Sequence, residues 1–335
     1  MARYVIYGAG AIGGLIGARL ALVGREVALL ARGAHLEAIR RDGLRVMTPE
    51  ADEVVRLPVA EHPSALGLAA DDVIILAMKT QDAVLVLPDL AAAAPAGTAI
   101  VCAQNGTENE RMALRRFERV YGALVYCSAA LDGPGVVCGY NTPSLGVVDV
   151  GRYPAGVDET AQRLAEDLRL AGFDSVAQPD IMRWKRGKLI LNSTTNAVRA
   201  LVAAGDPGLP DLHHDLRAEI ERCYRTAGLD YASREELTRR SGESVRLALA
   251  GGRAWPGGST FQGMARGART SEVDYLNGEI TLLGRLCGAP TPFNAAVQQL
   301  MRDALTAGAG QGTFRVADIR ERAAVLAAAS AAQPQ

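Results

Sequence analysis

The sequence predicts an α/β chain in two parts, a doubly wound parallel sheet followed by an all-helical C-terminal domain. Three observations carry the prediction. Within Met1 to Arg32, a short apolar run, a glycine-rich turn, a helical pattern and a second apolar run follow one another. Further short apolar runs then alternate with helical patterns through the first half, as in chains that build parallel sheets. Beyond Gln178-Pro179 strand signals nearly vanish, and apolar residues recur at helical spacing to the end. The boundary is therefore set there, with residues 1–178 as one domain and 179–335 as the other.

In order along the chain, Tyr4-Val5-Ile6-Tyr7 is the first strand, and Ile12, Leu15, Ile16, Leu20 and Val23 mark the apolar face of the helix after it. Gly24 closes that helix, and Val27 to Ala31 is the second strand. Ala34 to Arg41 is a short helix, and Leu44 to Leu57 contains a hairpin-like excursion. Val73 to Met78 is a buried strand ending in Lys79-Thr80-Gln81-Asp82, and its helix runs to about Ala94, before Pro95 and Gly97. Ala99 to Ala103 is the next strand, ending in Gln104-Asn105-Gly106, and Ala123 to Ser128 is another. Val136 to Cys138 and Leu145 to Val150 flank a turn-rich loop, and Ala161 to Leu170 is a helix. The alanine-rich residues from Ala323 onward are expected to fray.

The glycine turn reads Gly8-Ala9-Gly10-Ala11-Ile12-Gly13, the G-x-G-x-x-G spacing in a Rossmann-type βαβ frame. Gly8 permits the tight turn, Gly10 lets backbone approach a pyrophosphate, and Gly13 allows close packing of helix on strand. The helix N-terminus adds free N–H groups and partial positive charge. An NAD site places an acid at the tip of the second strand to hold the ribose 2′-hydroxyl. Here the tip is Leu30-Ala31-Arg32-Gly33, and Glu26 lies at the wrong end. A guanidinium suits a 2′-phosphate, so NADPH is the expected cofactor; a solvated loop cation is the alternative for Arg32. Ligands of such sheets lie outside the carboxyl ends of the strands, and Gly8 to Gly13, Arg32, Lys79 and Asn105 all fall there. Singly, Lys79 reads as a solvated lysine and Asn105-Gly106 as a turn; together they outline a cofactor groove.

Composition is that of a soluble globular chain: 335 residues, 49% hydrophobic and 22% charged, with a formal net charge of −1. No electrostatic pull toward nucleic acid or acidic membranes follows from that balance. No apolar stretch approaches the ~20 residues of a membrane span, and no leader peptide is expected, since the chain runs straight into a strand. Five scattered cysteines without a C-x-x-C, most in apolar runs, point to buried free thiols of a cytoplasmic protein. The four histidines show no zinc-ligand spacing, so no metal site is expected. The oligomeric state, homodimer or other, is left open.

The segment Met182 to Asn196 places Lys188, Asn192 and Asn196 at i, i+4 and i+8 on one helix face, beside the apolar Leu189, Ile190 and Leu191. A lysine and two amides in that setting are costly unless they line a polar cleft; a solvated helix face is the alternative. Lys185, three residues before Lys188, carries no assigned role. A second patch runs through Gly257-Gly258-Ser259-Thr260-Phe261-Gln262 to Thr270 through Gly278. There Val273, Leu276, Ile280 and Leu283 form a helical apolar face, and Glu272 stands at its N-terminal edge. Capping by the helix dipole explains a glutamate there as well as catalysis does.

These motifs together resemble the ketopantoate reductases (2-dehydropantoate 2-reductases) over nearly the whole chain. The resemblance rests on Gly8 to Gly13, Arg32, Lys79-Thr80-Gln81, Gln104-Asn105-Gly106, the Lys188/Asn192/Asn196 stripe and Glu272 to Gly278. It implies that Lys188 is the proton donor to the ketone and that Asn105 contacts cofactor and substrate. It further implies that Lys79 and Arg32 hold the cofactor, that Asn192 and Asn196 hold the substrate, and that Glu272 lies against the nicotinamide-side ribose and supports the lysine. The implied activity is NADPH-dependent reduction of a 2-oxo acid to a 2-hydroxy acid, 2-dehydropantoate to pantoate in pantothenate biosynthesis. Two departures stand out. The family often has Ser-Ser-Met where this chain has Ser259-Thr260-Phe261, which puts Thr260 at the substrate-binding serine. Asp206 falls where members often place another substrate asparagine, and an anion beside an anionic substrate is unfavourable. The rival readings are a same-fold reductase for another 2-oxo acid or ketone, and a non-catalytic NADPH sensor.

Overall fold

The computed structural model describes residues 2–331. In chain order it forms β1 (Tyr4–Tyr7), α1 (Ala11–Leu22), β2 (Val27–Leu30), α2 (Gly33–Asp42), β3 (Leu44–Met47), β4 (Asp52–Val55) and β5 (Val59–Ala60). Then come β6 (Val73–Leu76), α3 (Thr80–Ala93), β7 (Ala99–Cys102), α4 (Asn109–Leu114), β8 (Arg119–Tyr126), β9 (Ala129–Gly133), β10 (Val136–Gly139), β11 (Asn141–Pro143), β12 (Val147–Arg152) and α5 (Glu159–Leu170). The rest comprises α6 (Ile181–Leu201), α7 (Leu209–Thr226), α8 (Arg234–Ser241), β13 (Val245–Leu247), α9 (Ser259–Ala265), α10 (Asn277–Cys287), α11 (Pro292–Ala307) and α12 (Val316–Ala331).

The chain divides into two compact units, Met1–Lys185 with Ser233–Pro256, and Arg186–Ala232 with Gly257–Gln335. The first unit is built on a seven-stranded sheet of order β12-β8-β7-β6-β1-β2-β5, parallel except for β12. Residues alternate between its two faces, as the two-residue period of a strand requires. Tyr4 and Ile6 of β1, Val73 and Ile75 of β6, and Ala99 and Val101 of β7 enter one core with α1 and α5. Val5, Ile74, Leu76, Ile100 and Cys102 enter the other with α3 and α4. Burial on both faces is why these strands are continuous apolar runs.

A second sheet, β4-β3-β10-β9, joins the β3–β4 hairpin to residues ninety positions on, through parallel pairing of β10 with β3. It is an addition to the single wound sheet expected from the sequence. The stretch Ser233–Pro256 is also unexpected, because it leaves the helical half and belongs to the first unit. There β13 pairs with β11. Arg240 meets the fully buried Asp149 through Nε at 2.8 Å and Nη2 at 2.5 Å, and reaches Asp174 at 2.9 Å. The unit division thus falls inside α6, later than the expected 178/179 boundary.

The second unit is helical. Its core forms where α7, α11 and α12 pack with the C-terminal turns of α6, around Val198, Leu201, Leu216, Val297, Met301 and Ile319. Leu189, Ile220, Tyr224 and Ile280 form a second cluster between α6, α7 and α10. The expectation of fraying from Ala323 is corrected, since α12 continues to Ala331 and Ala323 is buried against that core; residues 332–335 lie outside the described residues. No helix among the described residues is long and apolar enough to cross a membrane. Cys102, Cys138 and Cys223 are buried and all five thiols are free.

Candidate active site

The strand order reverses at β1 and β6, whose carboxyl ends form the crevice where a doubly wound sheet takes its ligand. The glycine turn follows β1, Arg32 follows β2, Lys79 follows β6, and Asn105 follows β7. Four neighbouring parallel strands therefore deliver these segments to one edge of the first unit.

Gly8 and Gly13 fit their expected parts in the turn and the helix packing. Gly8 has a φ of +97°, and a Cβ there would stand 2.7 Å from the Met78 amide nitrogen. A Cβ on Gly13 would meet the Gly8 carbonyl oxygen at 2.2 Å, so only glycine brings α1 this close to β1. Gly10 caps α1 without a side-chain bond, and nothing lies within 4 Å of where its Cβ would be. The first turn of α1 holds no acidic residue, which leaves open N–H groups suited to a pyrophosphate. His35, which the sequence reading missed, braces the turn. Its Nδ1 accepts from the Gly135 amide at 2.9 Å, so Nε2 carries the proton and donates to the Ala9 carbonyl at 2.7 Å. A histidine one turn into a solvated helix gave no sequence signal for that contact.

Arg32 is the N-cap residue of α2 and 79% exposed, with Nη2 3.3 Å from Asp82 Oδ1 in the first turn of α3. Lys79 is the N-cap residue of α3 and half-buried. The β7–α4 loop carries the half-buried Asn105, whose carbonyl accepts from Asn109 Nδ2 at 3.2 Å; Asn109 also donates to Thr80 Oγ1 at 3.0 Å. Gln81 Oε1, Gln104 Oε1 and Asn109 Oδ1 are buried oxygens with no donor among the described residues. A ligand that brings its own N–H or O–H groups suits acceptors left over in this way. A dinucleotide fits this edge on both counts.

Lys185, to which the sequence assigned no role, is buried at the end of β7. Its Nζ is buried 2.6 Å from Glu110 Oε1 and donates to the Gln104 carbonyl at 2.9 Å. Burial pushes the Glu110 carboxyl above its ordinary range, against the pull of the Lys185 ammonium.

In the second unit the α6 stripe is not a solvated face. Leu191 and Arg199 are the exposed residues of this stretch, whereas Lys188 and Asn196 are half-buried and Asn192 is 7% exposed. Asn192 Nδ2 is buried with no acceptor among the described residues. The N-terminus of α9 comes to the same stripe, because a Cβ on Gly258 would lie 3.8 Å from Asn196 Oδ1. Thr260, two residues on, is buried. Glu272 opens a separate 3-10 turn, Glu272–Tyr275, capped by Ser271, rather than the edge of α10 itself; it too is buried. Asn277 Nδ2 ties the start of α10 to α6 by donating to the Ser193 carbonyl at 2.8 Å. Asp206 is a cap: Oδ1 accepts from the Gly208 amide and Oδ2 from the Val316 amide, and these bonds lower its pKa. These bonds fix the carboxylate at the start of α12 and favour its charged form.

A wound sheet with an open glycine turn at its switch point, continued into a helical unit, is the build of the nicotinamide-dinucleotide oxidoreductases. Within that class the chain belongs to the ketopantoate reductase PanE/ApbA family. The family model matches residues 4–154 and its C-terminal companion residues 180–304. The chain is 30% identical over 319 residues to the 2-dehydropantoate 2-reductase of Pyrococcus horikoshii, covering 92% of this chain and 99% of the relative. It is 30% identical over 329 residues to that of Mesorhizobium japonicum, covering 90% and 97%. Among solved structures it is similar to the PanE/ApbA family ketopantoate reductase of Ralstonia eutropha JMP134, with a TM-score of 0.77, 28% identity and coverage of 91% and 99%. It shares its fold with a D-mandelate dehydrogenase solved with NADH and anilino(oxo)acetate, at a TM-score of 0.78, 21% identity and the same coverage.

Proposed function

We propose that the chain is an NADPH-dependent reductase of 2-oxo acids, with 2-dehydropantoate, reduced to pantoate, as its leading substrate. In this reading the first unit, centred on residues 1–178, binds the dinucleotide and the helical unit supplies the substrate residues. When bound, the cofactor supplies hydride from C4 of its dihydronicotinamide to the carbonyl carbon. The protein does the rest. Lys188 Nζ stabilises the negative charge that develops on the ketone oxygen and then gives it a proton. Asn192 and Asn196, one and two turns further along α6, donate to substrate oxygens, and the Thr260 hydroxyl adds a third polar contact. Glu272 holds the lysine in its charged, oriented state, and Arg32 and Lys79 hold cofactor phosphates.

The observation that carries the reading is Asn192 Nδ2, a buried donor without an acceptor on a stripe that also bears Lys188. An unmet buried donor costs about 1–3 kcal/mol, a penalty that a substrate oxygen would offset. The test is loss of dihydronicotinamide absorbance with NADPH against a panel of ketopantoate, pyruvate and phenylglyoxylate. Turnover of ketopantoate with the largest kcat/KM is the expected result. NADPH binding with no ketone reduced would make the protein a sensor.

A second reading, reduction of an aryl-substituted 2-oxo acid, draws on Phe261. Its ring lies 3.1 Å from where a Gly257 Cβ would be, beside the buried Thr260, and the solved D-mandelate dehydrogenase binds an aryl-bearing oxoacetate. A kcat/KM for phenylglyoxylate above that for ketopantoate would decide for it.

A further inference from the structure

We propose that Lys185 and Glu110 form a positioning pair that fixes the peptide groups around Asn105. The proposal rests on Asn105 being a site residue, as in the proposed function.

The pair lies wholly within the first unit. Lys185 Nζ stands 2.6 Å from Glu110 Oε1 of α4, 2.9 Å from the Gln104 carbonyl oxygen and 3.4 Å from that of Cys102 at the end of β7. The two side chains are 3% and 0% exposed. The neighbouring strand makes room for them. A Cβ on Gly122 of β8 would lie 3.1 Å from Glu110 Oε1 and 3.3 Å from Lys185 Cδ.

Stability does not explain such a pair. Removing two charges from water costs about as much as their attraction returns, and well-packed apolar residues of similar volume serve a core as well or better. What the ammonium supplies, and an apolar side chain cannot, is direction. It donates to the carbonyl just before Asn105, while Asn109 Nδ2 donates at 3.2 Å to the carbonyl of Asn105 itself. Both peptide planes flanking the Asn105 side chain are therefore held by buried donors, one from α6 and one from α4. Gly106 follows with a φ of +82°, a turn that glycine adopts without strain and that those two bonds keep from relaxing. Glu110 balances the ammonium and aims it, so that neither carbonyl bond depends on an unpaired buried charge.

The double variant Lys185→Met/Glu110→Leu removes the charges together and keeps volume. It is expected to fold with a melting temperature no lower than wild type and to bind NADPH within about threefold. Its kcat should fall roughly 10- to 100-fold, the scale of a small misplacement of a site group. Amide hydrogen exchange over residues 104–107 should quicken about tenfold or more, with β7 and β8 unchanged. Glu110→Gln keeps the shape of the site and an oxygen for Nζ. It should show the same two changes at smaller size, so the question is decided even if the double variant does not fold. Folded variants with wild-type kcat and unchanged exchange, or activity lost only in proportion to the folded fraction, would overturn the proposal. If the wild type reduced no 2-oxo acid, the functional reading would fail, while the exchange comparison would still report on the loop.

Discussion

Removing the guanidinium at the tip of β2 should change the cofactor preference and little else. Arg32 is the N-cap residue of α2, and its side chain is 79% exposed with Asp82 at 3.3 Å. A charge-assisted hydrogen bond is worth about 1.5–3 kcal/mol. High exposure and the competing carboxylate place this one at the lower end, because solvent screens exposed pairs. A loss of about 1.5 kcal/mol corresponds to roughly tenfold in affinity. Arg32→Ala should therefore lower kcat/KM for NADPH about tenfold, while the value for NADH changes less than about twofold, since NADH carries no 2′-phosphate for the guanidinium to grip. Asp82→Asn works in the opposite direction. Freeing the guanidinium from an exposed pair worth about 0.5 kcal/mol should improve NADPH use two- to threefold. The assay is initial rate against each cofactor at saturating ketone, with melting temperatures as a control for the α2 and α3 caps. Equal losses for both cofactors in Arg32→Ala, or an Asp82→Asn variant poorer with NADPH, would make Arg32 a solvated cation.

Three further outcomes are expected. Lys188→Ala should lower kcat by roughly 10²–10⁴, the usual contribution of a positioned acid, with NADPH affinity unchanged; a near-normal kcat would send the proton by another route. Asn192→Leu removes the buried donor that lacks an acceptor, so the melting temperature should hold or rise while KM for the 2-oxo acid climbs about tenfold or more; an unchanged KM would leave Asn192 outside the site. The Arg183 guanidinium and the Ser233 amide hold the Glu236 carboxyl at about 2, below its ordinary range. A folded-state pKa lowered in this way adds stability that is complete above the unfolded carboxylate value and drains away as pH falls toward about 2. Glu236→Gln should thus melt below wild type at neutral pH, and the gap should close in acid; a gap that persisted at pH 2 would exclude the carboxylate as its source.

How much of this was legible in the sequence depends on how far apart the cooperating residues stand. The β1–Gly8–α1–β2 frame was readable because its constraints are local. A buried strand shows as a run, and the turn needs glycine at Gly8 and Gly13 for contacts made within the same thirty residues or with the next strand. The hairpin β3–β4 was readable for the same reason. Its assembly with β9 and β10 was not, since β3 and β10 each have an ordinary apolar pattern and nothing in either names the other as partner. The return of Ser233–Pro256 to the first unit was likewise hidden. Arg240 reads as one more helical cation, and what fixes it is a carboxylate ninety-one residues earlier, at Asp149.

The α6 stripe shows where periodicity stops being informative. Helical spacing put Lys188, Asn192 and Asn196 on one face, and partial burial agrees with it. The same arithmetic put Lys185 on nearly that face too, and nothing in it ranked one lysine above the other. Their surroundings separate them. Lys185 ends in a closed space left by Gly122, against Glu110 and two strand-end carbonyls, whereas Lys188 is half-buried one turn before an amide with an unmet donor. A buried lysine already surrounded by acceptors is committed to holding its neighbours in place. One turn beyond the half-buried Lys188, it is Asn192 Nδ2 that has no acceptor among the described residues. Asp206 shows another limit of position: its place in the sequence suggested contact with substrate, and its two oxygens accept from the Gly208 and Val316 amides. In this chain, then, sequence nominates polar residues by position, and their hydrogen bonds show what the fold already asks of each.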